Sequence, residues 1–177
     1  LMSDYALNFD KYAEILNSLY PNVKFSCMGA ATSYENISWV SGEEIPSQEA
    51  LDAGVLGVAK EKLKQRVNVY RDEWLYDYFT YDGKQWDCDE VSRNNISGLN
   101  LISVLNGGNL PPGLTFRDFN NNDWPVDAAY MANMAGALLT FTNATYIASW
   151  THKAAIDGLG TITAVNSYDI TQGWPAK

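Results

Sequence analysis

The sequence predicts an α+β fold, with short antiparallel strands set among helices, one of them long and alanine-rich. Three observations lead there. Alternation of apolar and polar residues is confined to short runs, at residues 23–28, 37–40 and 76–89. Apolar residues recur at helical spacing over residues 47–70 and 127–156. Asp82-Gly83 separates two alternating segments, and both central positions of a two-residue hairpin turn must tolerate positive φ.

The first helix is expected over residues 8–20, capped by Asn8, with Phe9, Tyr12, Ile15, Leu16 and Leu19 on one face. Pro21-Asn22 stops it, because the residue before a proline is pushed out of the helical region. Residues 23–28 and 37–40 then read as two strands of a small antiparallel pair, with turn-forming residues between them. Ser47 is the cap candidate of the next helix, and Glu49 sits in its first turn, where the helix dipole favours negative charge. That helix runs to Tyr70, with Gly54 and Gly57 weakening it by about 1 kcal/mol each. Lys60, Lys62, Lys64 and Arg66 in its second half read as a solvated face that also suits the negative helix end.

The Asp82-Gly83 hairpin follows, with Phe79, Tyr81, Trp86 and Cys88 able to share a face. Asp89 caps a helix carrying Val91, Ile96, Leu99, Ile102 and Leu105, which Gly107-Gly108 ends. Residues 110–113 form a loop, residues 114–119 a candidate strand, residues 120–123 a turn, and residues 124–126 resume an extended path. Asp127 caps the longest helix, to about Ile156. One stripe holds Met131, Met134, Leu138, Phe141, Ala148 and Ile156. A second holds Ala132, Ala135, Leu139, Tyr146 and Trp150, and two adjacent stripes predict a helix covered on a wide face. The tail from Ile162 is expected to be extended and docked through Tyr168 and Trp174. A boundary is expected near Arg71, between a small α+β docking module at residues 1–70 and a hairpin-plus-helices domain at residues 71–177.

Composition narrows the function classes. At 46% hydrophobic and 19% charged residues, the 177-residue chain has enough apolar surface for a core. Twelve basic against 21 acidic residues give a net charge of −9, which argues against nucleic acid or an anionic membrane as partner. A single histidine and two distant cysteines, Cys27 and Cys88, exclude a zinc finger or a two-histidine zinc enzyme. No cofactor or metal is expected. The N-terminus lacks a basic segment followed by an apolar one, so no secretory signal is read there. Asn133, Gly136, Thr140, Thr142, Asn143 and Thr145 interrupt the most apolar stretch, residues 128–150, so a soluble protein without a membrane span is expected.

Chemical motifs are sparse. Gly107-Gly108 follows a helix instead of opening one and lacks the Lys-Ser/Thr of a phosphate loop. His152, the sole imidazole, lies on the buried stripe of the long helix, where a structural role outweighs a catalytic one. Asp82, Asp87, Asp89 and Glu90 cluster at the hairpin. Paired carboxylates can cleave glycosides, but the local roles of turn and cap account for Asp82 and Asp89. Six tryptophans serve equally an aromatic core or a docking surface.

Tyr81-x-Gly83, followed by Trp86-Asp87-x-Asp89-x-x-Ser92-Arg93-x-x-Ile96, resembles the Y-x-G-x-x-F/W-D-x-D-x-x-S-R-x-x-I stretch of a domain of unknown function. That domain is found in tail-fibre, tail-fibre-assembly and other virion proteins of tailed bacteriophages. The resemblance covers about residues 71–160 and includes Trp124, Asp127 and the long helix with Tyr146 and Trp150. The chain departs from it in having Trp86 where Phe is usual, and in its Gly-Trp-Pro tail.

The resemblance implies a packing and docking module. Gly83 makes the turn, Trp86 and Phe79 pack the hairpin onto the helix, Asp89 or Ser92 caps that helix, and Arg93 pairs with Asp87 or Asp89. Trp124, Trp150 and Trp174 join these as docking candidates. The implied function is a non-enzymatic structural component of a phage virion, in the tail, baseplate or fibre apparatus. It would be made in the host bacterial cytoplasm and set against other virion proteins in several symmetric copies. The rivals are a tail-fibre assembly chaperone absent from the mature particle, and a glycan-binding or glycan-cleaving tail tip that contacts a host glycan or receptor.

Overall fold

The computed structural model describes residues 12–27, 34–40 and 45–177. Those residues form an α+β protein with five α-helices and three two-stranded antiparallel sheets. None of these helices is long and apolar enough to cross a membrane. The chain groups into two compact units. One holds the described residues up to Arg66 together with Lys153–Asp169, and the other holds Val67–His152 with Ile170–Lys177.

The first unit opens with α1 (Ala13–Leu19), and the cap assigned to Asn8 lies outside the described residues. Tyr12, Ile15 and Leu16 are buried against Leu51 and Val55 of α2 (Gln48–Leu75). Tyr12 also donates from its hydroxyl to Asp52 at 2.7 Å. Gly54 has a packing reason. A Cβ there would lie 2.8 Å from Ile15 Cγ2 and 3.2 Å from Leu19 Cδ1, so α1 approaches α2 closely only because the side chain is missing. The strand pair is β1 (Phe25–Cys27) and β2 (Ile37–Trp39), with Ser26 opposite Ser38. Ser47 caps α2 as expected, accepting from the Ala50 N–H at 3.2 Å.

Beyond Tyr70 the helix does not stop. Residues 71–75 contain no glycine or proline, and Leu75 is buried, so α2 runs five residues past its expected end. The tail also departs from expectation. Thr161 accepts from the Ala164 N–H at 3.1 Å and starts a short helix, α5 (Ile162–Ser167), whose Val165 is buried where an extended chain was expected. The basic cluster is only partly a solvated face. Lys60 donates to the Asp157 carbonyl at 2.8 Å, and Lys64 meets the Asp157 carboxylate at 2.6 Å. These two cations, one turn apart, cap the end of α4 (Ala128–Asp157), where unpaired carbonyls concentrate negative charge.

The second unit is built on the hairpin β3 (Tyr78–Tyr81) and β4 (Lys84–Asp87), in which Phe79 pairs with Trp86. Asp82 and Gly83 hold φ of +52° and +68°, both in the left-handed region that a two-residue turn requires. Gly83→Ala is expected to cost about 1–2 kcal/mol, read as a lower Tm. A Cβ there would meet nothing within 4 Å, so the cost is that of the backbone alone. α3 (Glu90–Leu105) follows, and then β5 (Thr115–Arg117) pairs with β6 (Asp123–Pro125). The core brings Leu75, Phe79, Trp86, Cys88 and Ile96 against Met131, Met134, Leu138 and Phe141 of α4.

Two expected stripes are corrected. On α3 only Ile96 and Ser103 are buried, while Val91, Ile102 and Leu105 stand in solvent. On α4 the first stripe is buried throughout, but Ala132, Leu139, Tyr146 and Trp150 of the second are exposed. The hairpin and α3 cover one side of α4 only, and periodicity cannot count how many neighbours a helix has.

Candidate functional site

Gly83, Trp86, Asp87, Asp89, Ser92 and Arg93 come together at the junction of the hairpin with α3. Trp86 is buried, and its Nε1 donates to the Tyr81 carbonyl at 3.1 Å. Its ring lies 5.8 Å from that of Phe116 and 6.1 Å, edge-on, from that of Tyr130. Asp89 caps α3 by accepting from the Ser92 N–H at 2.8 Å, so Ser92 contributes its backbone and Asp89 is the cap. Arg93 does not pair with Asp87 or Asp89 among the described residues. Its guanidinium lies over the Tyr76 ring, 5.8 Å from the centroid. The Asp89 carboxylate is already engaged by the helix N-terminus, and the ring offers Arg93 a face instead. Cys88, buried beside it, has its thiol pushed up to about 11 by desolvation, so it is not a reactive thiolate at neutral pH.

Burial, and then the charges of Asp89 and Asp118, hold the Asp87 carboxyl above its ordinary range. A carboxyl raised in the folded state is held there less comfortably as an anion than in the unfolded chain. Asp87→Asn is therefore expected to raise Tm at pH 7, with the gain shrinking as pH falls into the carboxylate range. A lowered Tm at pH 7 would show instead that the charge has a stabilising role.

The neighbouring loop was not read from the sequence as a unit. Asp118 is buried and accepts from the N–H groups of Asn120 (2.9 Å) and Asn122 (2.8 Å) and from Trp124 Nε1 (2.8 Å). Desolvation pushes its carboxyl up, but the bonds from Asn122, Trp124 and Asn120 outweigh this and hold it below the usual range. Its ordering of the loop is thus full at neutral pH and lost as pH falls below the ordinary carboxylate value. The signal was present as an aspartate ahead of three asparagines, a composition that bonds its own backbone. The loop docks on the hairpin through the Phe119 N–H, which donates to the Gln85 carbonyl at 2.9 Å.

Trp124, at the edge of this loop, is covered on its ring by Lys84, whose Nζ lies 4.7 Å from the centroid and 2.7 Å from Asp82. Beside it, Tyr81, Pro125, Asp127, Tyr130 and Asn133 line part of an open cavity of about 380 Å³. Asp127 caps α4 as expected, accepting from the Tyr130 N–H at 2.7 Å.

Trp174 docks in the same unit, as expected. Its Nε1 donates to the Ile170 carbonyl at 2.7 Å, and its ring lies 5.3 Å from Tyr70, 6.1 Å from Trp74 and 5.4 Å from His152. His152 Nε2 lies 2.8 Å from the Gln172 carbonyl, which only accepts, so that nitrogen carries the proton. The tail thus holds the imidazole in a structural contact. Lys177 stands 4.0 Å from the Trp74 centroid and is paired with Asp77. Among the described residues no cluster of His, Cys, Asp or Glu is placed to hold a metal ion.

Two apolar surfaces remain. On α3, Val91, Leu101, Val104 and Leu105 are open to solvent, and on α4, Leu139, Tyr146, Ile147 and Trp150 are exposed. Residues 58–172 match a family model described as a domain of unknown function, DUF4376. That span encloses the motif and both apolar surfaces. No curated protein and no solved structure matches the chain.

Proposed function

The chain belongs to the DUF4376 family, a domain of unknown function, and from that premise we propose that it is a non-enzymatic structural component of a bacteriophage virion. It acts by protein–protein docking in the tail, baseplate or fibre apparatus. The phage assignment is supported by the resemblance of residues 81–96 to a stretch of tailed-phage virion proteins. The docking assignment is carried by one observation, the outer face of α3. At the C-terminal end of α3, Leu105 is 75%, Val104 68% and Leu101 58% exposed, and aliphatic side chains left in water together mark an interaction surface. The polar residues of the motif build the turn and the cap, which supports a brace more than a reaction centre. Net negative charge keeps free subunits soluble before assembly.

Mass spectrometry of purified particles tests this reading. Stoichiometric presence is expected, and absence from particles with presence in infected cells assigns the chain to assembly chaperoning. Val104→Asp with Leu105→Asp alters only exposed positions and is expected to block incorporation without unfolding the subunit. A second reading, glycan binding, is favoured by the cavity bounded by Tyr81, Tyr130, Asp127 and Asn133. Binding of a host polysaccharide that Tyr81→Ala abolishes would move the function there, and polysaccharide cleavage lost on Asp87→Asn with Asp89→Asn would make it enzymatic.

A further inference from the structure

We propose that α4 pairs, antiparallel, with α4 of a second copy of this chain. The inference rests on the docking reading and names the first partner. Exposed positions of α4 follow the helical repeat at residues 132–133, 136, 139–140, 143, 146–147 and 150. No residue from Ala128 to Thr151 is charged. A helix face that stays in water normally carries Lys, Arg, Glu or Asp. This one instead presents Leu139 at 69%, Trp150 at 57% and Ile147 at 49% exposure.

Two features select a second copy as the occupant. The first is charge. The chain carries −9 overall, yet α4 brings no charge of its own to this face, and Arg71, which lies 5.2 Å from the Tyr146 ring centroid, is paired with Asp72 at 2.7 Å, so two copies meet here without direct repulsion between their helices. The second is the order of side-chain sizes along the face. Its first half holds the small residues Ala132 and Gly136 with a single exposed large side chain, Leu139, and its second half holds Tyr146, Ile147 and Trp150. A Cβ at Gly136 would meet nothing within 4 Å, so the backbone there is open to approach.

A two-fold axis at the level of Phe141 sets Trp150 of one copy over Ala132 of the other, Tyr146 over Gly136, and Leu139 beside Asn143. Trp150, Tyr146 and Leu139 each then meet a smaller residue, twice over. A parallel pair would set large against large and leave the small half unfilled. The antiparallel contact is isologous, so it closes at two copies and supplies a two-fold building block for a symmetric assembly.

Sedimentation velocity of the full chain, from about 1 to about 100 μM, tests the pairing. A shift from monomer to dimer across that range is expected. Gly136→Trp fills the space the facing Tyr146 would enter, and Ile147→Asp places a charge in the apolar half. Each is expected to weaken the dimer at least about tenfold, with an unchanged far-UV spectrum because both sites are exposed. A wild-type chain that stays monomeric, or a dimer that neither variant weakens, overturns the proposal. A dimer in solution with no incorporation into particles would remove the virion reading and leave this one standing. Incorporation by a chain that stays monomeric would do the reverse.

Discussion

Trp86→Ala is expected to lower stability by about 3–5 kcal/mol, the cost of removing a fully buried aromatic side chain from a packed core. For a chain of this size that corresponds to a fall in Tm of roughly 6–20 °C. The site is severe for three reasons. Trp86 is buried where the hairpin meets the core, its ring contacts Phe116 and Tyr130, and its Nε1–H satisfies the Tyr81 carbonyl across the hairpin. Trp86→Phe keeps most of the apolar volume but loses the hydrogen bond to that carbonyl. Its expected cost is about 1–2 kcal/mol. Thermal and urea unfolding of the three proteins checks the order: wild type above Phe, and Phe well above Ala. An alanine variant within about 1 kcal/mol of wild type would show that the hairpin is not a brace for the unit.

Trp174→Ala is expected to cost about 2–3 kcal/mol, less than a fully buried tryptophan because the ring is half-buried. The loss has a local signature. Tyr70, Trp74 and His152 share that ring as a neighbour, so the His152 ring protons, shifted by the stacked indole, should move toward unstructured values in the NMR spectrum. Trp150→Ala serves as the contrast. Trp150 is exposed, and its removal from the monomer is expected to change stability by no more than about 0.5 kcal/mol. If Trp174→Ala proved equally mild, the tail would be a passenger and not a strap on its unit.

Short-range chemistry was legible in the sequence. The Asp82-Gly83 turn, the caps at Ser47, Asp89 and Asp127, and the buried stripe from Met131 to Ile156 depend on neighbours a few positions away, and each took the form its residues dictate. The α+β class followed, because spacing distinguishes strand from helix without knowledge of what packs against either. The family motif was legible for the same reason, being a hairpin turn, a buried aromatic and a helix cap in one continuous stretch.

What the sequence left open was every question about partners distant in the chain. It could not say that Lys60 and Lys64 would close on Asp157, since a lysine on a helix looks the same whether it faces water or the end of another helix. Nor could it say that Arg93 would lie over Tyr76 while Asp89 served the helix N-terminus. Above all, it gave Leu139, Tyr146 and Trp150 the apolar periodicity of a covered surface, and the folded unit left them exposed. Periodicity records that a face avoids water. Only the arrangement of the other elements decides whether the chain itself covers that face or leaves it for another molecule.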